Sequence, residues 1–381
     1  MELQNSSFPV GLTFDDVLLL PGYSDFSRSD INLSTQLTRR IQLSLPLVSS
    51  PMDTVTENKL AIALGKLGGI GIIHRNLSIE DQVTEVKKVK EKKVLVGAAV
   101  GANKGLEERV KALVKADVDV IVVDSAHGFA KTVMDAIKLI KKTYKSVDVI
   151  GGNIATEDGA KALIGAGADS LRVGMGPGAI CTTRVISGMG VPQLTAILKT
   201  SKIAKEAGVP VIADGGIKYS GDIVKALASG ASSVMMGSFF ASAKESPGEV
   251  LELSKDQIPH RFQSILNKNK QKYLFKQYRG MGSEAAMKKG TEIKSEDEFH
   301  GKDYKDRVLV AEGVEGLVPI KGTLKELVDQ AIGGIKSGMY YVGARSIREL
   351  WEKARFIQIT TASLTESHPH DVLVTNPGKN Y

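Results

Sequence analysis

Short runs of β-branched and apolar residues recur along the chain, and between them the apolar positions fall three or four residues apart. The runs are Leu45–Met52, Gly69–His74, Val94–Val100, Val118–Ser125, Val147–Asn153, Ala168–Gly174, Val209–Gly216 and Ser232–Ser238. Most are apolar at consecutive positions, as parallel strands covered on both faces require. The intervening segments are Ile79–Lys90, Leu106–Ala116, Lys131–Tyr144, Gly159–Ile164, Thr195–Ala207 and Gly221–Ala228, and each carries one apolar stripe at helical period. Gly208 and Gly230 stand where helix stops belong, because glycine enters the left-handed cap conformation without a Cβ penalty. Eight strands alternating with helices predict an α/β fold, a closed (β/α)8 TIM barrel. An open doubly wound sheet is the other arrangement the pattern allows.

The rhythm breaks over residues 240–320. Within it, Lys288–Asp306 is charged and poor in apolar residues, which predicts a mobile flap or lid inserted after the last strand. Helical spacing resumes at Thr323–Ser337 and Ser346–Phe356, and a polar tail follows. Residues 1–381 are therefore expected to form one barrel with a flap or finger at 240–320.

Composition narrows the classes. At 381 residues and 42% apolar, the chain can build a core without covalent staples. Its one cysteine excludes an intrachain disulfide and fits a reducing cytoplasm. The opening MELQNSSFPV lacks the basic and apolar regions of a signal peptide, and no run approaches the ~20 apolar residues of a membrane span. The net charge of +7 is dispersed, apart from a cluster at Lys87–Lys93 that suits a solvated helix face. Aromatic residues make up only 5%, too few for base-stacking platforms, so neither nucleic acid nor membrane is an expected partner. A mild positive excess does suit phosphate-bearing ligands.

Polar and glycine residues gather at the carboxyl ends of the predicted strands, where barrel enzymes place their chemistry. They are Ser49–Asp53, Asp124–Gly128, Gly151–Asn153, Gly174–Arg184, Asp214–Gly216 and Gly237–Ser238. A turn explains any one of these clusters, but six in phase with the strands point to a site. The run at 174–178 is spaced G-x-G-x-G with Pro177 inside, which is not a dinucleotide fingerprint. It is better suited to an irregular loop whose carbonyls and amides touch ligands or a monovalent cation. A lone cysteine is more often a core filler than a nucleophile. Cys181 differs because it follows a strand end, in a glycine loop beside Thr182, Thr183 and Arg184, where a cation or helix start favours thiolate. Gly216 and Gly237 let a phosphate approach backbone amides. Asp214 is either a ribose acceptor or a turn cap. No His or Cys spacing suits zinc, and His368 and His370 are expected on the surface.

These segments resemble the IMP dehydrogenase/GMP reductase family over nearly the whole chain. The matching stretches are Leu12–Val17, Ser49–Glu57, Gly69–Arg75, Asp124–Gly128, Gly174–Arg184, Ala213–Gly216, Tyr278–Met287, Glu312–Gly316 and Glu366–Asp371. The resemblance implies that Cys181 attacks C2 of a purine nucleotide monophosphate, GMP or IMP, to form a thioimidate. It implies nucleotide contacts at Ser50, Met52, Asp214, Gly216, Gly237, Ser238, Tyr278, Gly280, Met281 and Gly282. Asp124, Ser125, Asn153 and Arg172 would face the nicotinamide of NADPH or NAD. Carbonyls of Gly174, Gly176 and Cys181 would hold potassium (K+), completed by Glu366, Ser367 and His368 of a neighbouring subunit in a homotetramer. Two departures stand out. Ala179 replaces a serine that helps bind phosphate, a loss of about 1.5–3 kcal/mol for a hydrogen bond to a charged group. The regulatory CBS domain that many dehydrogenases insert after the second strand has no room, since only Asn76–Val94 spans that point.

Two further positions favour one branch. Dehydrogenases carry an Arg-Tyr pair in the flap that activates water. Here the segment is Lys288-Lys289-Gly290-Thr291-Glu292-Ile293-Lys294-Ser295, and Tyr304 and Arg307 lie further on in the wrong order. Glu284, in Gly282-Ser283-Glu284, resembles the reductases and is expected to work with Thr183 in protonating a departing amine. Glu312–Gly316 and Ser367–Asp371 look more like dehydrogenases. The expectation from sequence is therefore GMP reductase, with IMP dehydrogenase as the alternative. A nucleotide-binding protein without turnover is the third reading.

Overall fold

The computed structural model describes residues 8–259, 262, 271–293, 298–299, 302–303, 310–372 and 374. Eight parallel strands close into a barrel: β1 (Leu47–Ser49), β2 (Ile70–Ile73), β3 (Val96–Val100), β4 (Val120–Asp124), β5 (Asp148–Ile154), β6 (Ser170–Val173), β7 (Val211–Asp214) and β8 (Ser233–Met236). Each pairs with the next in sequence, and β8 returns to β1 with Val234 opposite Leu47. All eight runs expected from sequence are present, so the open sheet is excluded.

The consecutive apolar positions now have a cause. Along β4, Val120 and Val122 point into the barrel, where they pack with Val48, Ile70, Ile72, Ile150, Ile212 and Met235. Ile121 and Val123 point outward and join the larger cluster under the helices. Both alternating faces are therefore buried, as in other all-parallel sheets.

The outer layer is α1 (Asn58–Leu67), α2 (Ile79–Lys90), α3 (Leu106–Lys115), α4 (Lys131–Thr143), α5 (Glu157–Gly165), α6 (Gln193–Glu206) and α7 (Ser220–Ala228). The helix α5 starts earlier than its apolar spacing predicts, because the Thr156 side chain caps it by accepting from the Gly159 N–H. Gly208 and Gly230 take positive φ just past α6 and α7, as expected.

The 240–320 region, where a flap or finger is expected, holds regular structure among its described residues. Strands β9 (Val250–Ser254), β10 (Lys272–Arg279) and β11 (Glu315–Pro319) form an antiparallel sheet with β10 in the middle. A helix, α8 (Glu284–Glu292), begins inside the expected lid. Its apolar residues Ala286 and Met287 are buried, while its lysines face outward, and this hides the helix from a reading by charge.

The last barrel helix, α9 (Leu324–Val342), closes the ring by packing against α7 and α1. It runs past Ser337, where the sequence predicts an end. Gly338 does not stop it: a Cβ there would sit 2.8 Å from a Val224 methyl, so this glycine permits close approach to α7. The true stop is Gly343, at φ 84°. The helix expected at Ser346–Phe356 is shorter, Ile347–Lys353, and Phe356–Gln358 instead pairs as a strand with Val17–Leu19.

The amino end of the barrel is sealed. A hairpin, Thr35–Gln36 with Gln42–Leu43, inserts Leu37 and Leu43 into the interior cluster. Thr38 donates to Asp148 at 2.6 Å and Arg40 Nε donates to the same carboxylate at 2.7 Å. The carboxyl end is open. Among the described residues, no helix is long and apolar enough to cross a membrane.

Candidate active site

A pocket opens at the carboxyl ends of the barrel strands, and Cys181 lies on its wall. The thiol sits on the loop that leaves β6. Gly174 and Gly176 on that loop take φ of 152° and 78°, which residues with a Cβ rarely adopt. The loop turns back where the Cys181 N–H donates to the Gly178 carbonyl at 3.1 Å. Arg184 fixes its base by donating to the Met175 and Val191 carbonyls. This guanidinium is a brace for the loop.

Cys181 is half-buried, and its thiol donates to Thr183 Oγ1 at 3.3 Å. The Thr183 hydroxyl in turn donates to Glu312 Oε2 at 2.8 Å. Thiol, hydroxyl and carboxylate thus stand in line, with the hydroxyl accepting on one side and donating on the other. Such a line can pass a proton from the thiol, or from a water beside Thr183, to the carboxylate. Glu312 is held there by main chain. The Thr182 N–H donates to the Glu312 carbonyl at 3.1 Å, and the Val314 N–H donates to the Ile180 carbonyl at 2.9 Å.

Across the pocket, an ionic strut joins three strand ends. Arg172, on β6, donates through Nε to Asp214 Oδ2 at 2.8 Å and through Nη1 to Asp124 Oδ1. Arg75 approaches Asp124 Oδ2 at 3.4 Å. Asn153 donates to the Gly174 carbonyl at 2.9 Å and to Asp214 Oδ2 at 2.8 Å. Both bonds to Asp214 fall on Oδ2, which leaves Oδ1 to the pocket. Burial pushes the Asp124 carboxyl up, but Arg172 and Arg75 outweigh it and hold the group below the usual carboxylate range. Burial pushes Arg172 down, and Asp214 and Asp124 reverse this and raise it. Both stay ionised at neutral pH. Ser125 Oγ donates to the His127 carbonyl at 3.2 Å, at the rim of the same arm.

The opposite lip comes from the segment after β10. Tyr278, Gly280, Met281 and Gly282 line the pocket with Ser50 and Met52. Burial, followed by the nearby Asp214, pushes the Tyr278 hydroxyl far up, so it stays protonated. Gly237 admits this tyrosine. A Cβ there would fall 2.5 Å from the Tyr278 hydroxyl and 3.2 Å from the Met52 sulfur. Gly216, at φ 77°, and Ser238 follow β7 and β8 but are not among the residues that line the pocket.

Several expected site residues are not brought together. Glu284 is the first residue of α8, with its side chain 64% exposed and paired to Lys288 at 2.6 Å. The carboxylate that meets Thr183 is Glu312. Glu366 and Ser367 lie at the end of the helix Thr361–Glu366, and the His368 ring packs 5.9 Å from Tyr219. None of the three lines the pocket within this chain. No cluster of three metal-ligating side chains exists among the described residues. Tyr304, Arg307 and the segment 294–297 lie outside the described residues. Glu312 falls in the stretch Glu312–Gly316 that resembles the family, but its pairing with Thr183, 129 positions away, has no local signal in the sequence.

A parallel barrel that lines up a thiol, a hydroxyl and a carboxylate at its open end, opposite an aspartate with one oxygen free, has the architecture of a barrel enzyme. The chain belongs to the IMP dehydrogenase/GMP reductase family, a family of oxidoreductases: the family's domain model matches residues 11–370. It is 45% identical over 414 residues to an inosine-5'-monophosphate dehydrogenase of Cryptosporidium parvum, covering 97% of this chain and 98% of that protein. An inosine-5'-monophosphate dehydrogenase of Borreliella burgdorferi is 43% identical over 411 residues, covering 95% and 97%. One from Aquifex aeolicus is 39% identical over 499 residues, covering 97% of each.

Proposed function

We propose that this protein is an IMP dehydrogenase, which oxidises IMP at C2 with NAD and water to give XMP and NADH. The observation that carries this reading is the Cys181–Thr183–Glu312 line. It supplies a nucleophile and a proton acceptor at one place, which oxidation followed by hydrolysis at a purine carbon requires. The GMP reductase expected from sequence leaned on Glu284, and that carboxylate faces solvent beside Lys288. The relatives named above, all dehydrogenases, favour the same direction.

The steps follow from the residues. The Cys181 thiol adds across the C2=N3 bond of IMP, sulfur to C2 and its proton to N3. NAD, held by Asp124, Ser125 and Asn153, would supply the acceptor for the hydride that leaves C2. A thioimidate joins Cys181 to the purine. Water then adds to C2, its proton passing to Thr183 while the Thr183 proton passes to Glu312. Breaking the C–S bond gives XMP and the free cysteine. Asp214, with Oδ1 open to the pocket, accepts from the ribose hydroxyls, and Ser50, Met52, Tyr278, Gly280, Met281 and Gly282 hold the nucleotide. Asp124, Ser125 and Asn153 flank the nicotinamide, and Arg172 keeps Asp124 and Asp214 apart at a fixed spacing.

The Gly174 and Gly176 carbonyls on the cysteine loop are oxygen donors of the kind that would hold K+, and the Gly174 carbonyl also accepts from Asn153. Glu366, Ser367 and His368 would complete that shell only from a neighbouring copy, in a homotetramer. Exposed Val185, Ile186 and Met189 beside the cysteine loop favour such a contact. The alignment with the Aquifex relative extends over 499 positions against 381 residues here, which supports the missing insert.

One observation favours GMP reductase as a second reading: residues 288–295 contain no Arg-Tyr pair. The test is an absorbance assay with K+ present. IMP with NAD should produce reduced nicotinamide, and GMP with NADPH should show no consumption. The reverse pattern would overturn the proposal in favour of the reductase.

A further inference from the structure

Beside the pocket lies a second buried ionic cluster to which the steps above give no task, and one member, Asn76, also lines the pocket. The Asp53 side chain is fully enclosed, at 0% exposure. Arg279 grips it with two prongs, Nε donating to Oδ1 at 3.0 Å and Nη2 to Oδ2. Asn76 Nδ2 donates to Oδ2 at 2.9 Å and to the Ala286 carbonyl of α8 at 3.2 Å. A further bond runs from the Arg279 N–H to Thr54 Oγ1 at 3.2 Å.

The chain neighbours of these residues give the cluster its meaning. Asp53 follows Met52, and Arg279 follows Tyr278. Met52 and Tyr278 both close on Gly237 in the nucleotide pocket. After Arg279 come Gly280, Met281 and Gly282. The Gly282 carbonyl accepts from the Glu312 N–H at 3.1 Å, and the Glu312 carbonyl accepts from the Thr182 N–H at 3.1 Å. The ion pair therefore sets the register of the lip that meets the nucleotide, and that lip in turn abuts the carboxylate of the proton line. Asn76 ties the Asp53 carboxylate to α8. The cluster is costly to bury, and a two-pronged arginine is the partner that repays the loss of water with geometry.

We propose that Asp53, acting through Arg279 and Asn76, is a positioning residue for the reaction: it fixes the Tyr278–Gly282 lip and α8 against the nucleotide. This inference rests on the nucleotide reading above, and its test separates the two. The probe is IMP alone, whose dissociation constant is measured by calorimetry on the full chain. It is read beside the melting temperature and the rate of Cys181 alkylation without nucleotide. Removing one charge, as in Asp53→Asn, leaves Arg279 buried without its counter-ion and risks the fold. The deciding variants are therefore Arg279→Lys and the double replacement Asp53→Leu/Arg279→Met, because an apolar pair in place of a buried ion pair often preserves stability.

The double variant should fold, keep its alkylation rate within twofold, and bind IMP at least tenfold more weakly. Arg279→Lys, with the charge but one prong fewer, should fall between it and the wild type. Asn76→Ala, which leaves the ion pair in place, should raise KM for IMP less than the double variant does. Folded variants that bind IMP within twofold of wild type would overturn the inference. Loss of the fold in both Arg279 variants would overturn it as well, by making the pair a support of the barrel. A wild-type protein that binds no IMP would instead overturn the nucleotide reading.

Discussion

The reacting group depends on its immediate neighbours, and the sequence exposes them unequally. Cys181, Thr183 and the glycines at 174 and 176 stand close together along the chain, so their chemistry is legible as one loop. Asp214 is legible as a polar residue at a strand end. Glu312 is legible as part of a family stretch but its role is not, because the fold brings that distant segment against the cysteine loop. Glu284 carries the opposite error. It sits beside the pocket in sequence, yet at the first position of α8 its side chain points to Lys288 one turn later. The two carboxylates separate cleanly by mutation. Glu312→Gln should lower steady-state turnover by about 10²–10⁴-fold, the usual loss for a general base. It should leave the first burst of NADH in place, since hydride transfer precedes hydrolysis. Stopped-flow absorbance followed by a steady-state assay checks both parts, and a lost burst would place Glu312 earlier in the reaction. Glu284→Gln should keep turnover within twofold by the same assay, and a large loss would restore it to the site.

At the scale of elements, periodicity located every barrel strand but not every boundary. Helix ends follow caps and packing more than apolar spacing. Thr156 lengthens α5 at its start, and Gly338 continues α9 because Val224 leaves no room for a side chain there. The strands β9, β10 and β11 are not legible because charged residues stand among the apolar positions of β9 and β10, and β11 is only five residues long. The cap of α9 offers a direct check. Thr323 accepts from the Glu326 N–H, and Glu326 returns a carboxylate to the Thr323 N–H at 2.9 Å. Thr323→Ala should cost about 1 kcal/mol of stability, measured by denaturant unfolding, with KM for IMP unchanged. An unchanged midpoint would show that packing alone holds this end.

Across the whole molecule, the closed barrel was legible because its strands are covered on both faces, and this leaves a pattern in sequence that few other folds share. The sealed amino end was not legible, because Leu37 and Leu43 lie in segments too short to show a period. The acid limit of the fold is set by buried ion pairs. Asp53 and Asp124 are each pushed up by burial and then held below the usual carboxylate range by their arginines. Their folded pKa is depressed. The stability they contribute is therefore present above about pH 4, the unfolded value, and is lost as pH falls through the lower folded value. Unfolding followed by circular dichroism should show stability falling steeply below about pH 4. The Asp53→Leu/Arg279→Met variant should show a shallower fall, and an unchanged acid profile in that variant would remove Asp53 from the account.

The most direct test of the whole account is mass spectrometry of the Cys181 peptide after the enzyme is mixed with IMP and NAD and quenched in acid during turnover. The peptide should carry a purine nucleotide bonded through sulfur, and Cys181→Ala should abolish both the adduct and NADH formation. Full turnover by Cys181→Ala, or a wild-type enzyme that turns over with Cys181 never modified, would contradict it.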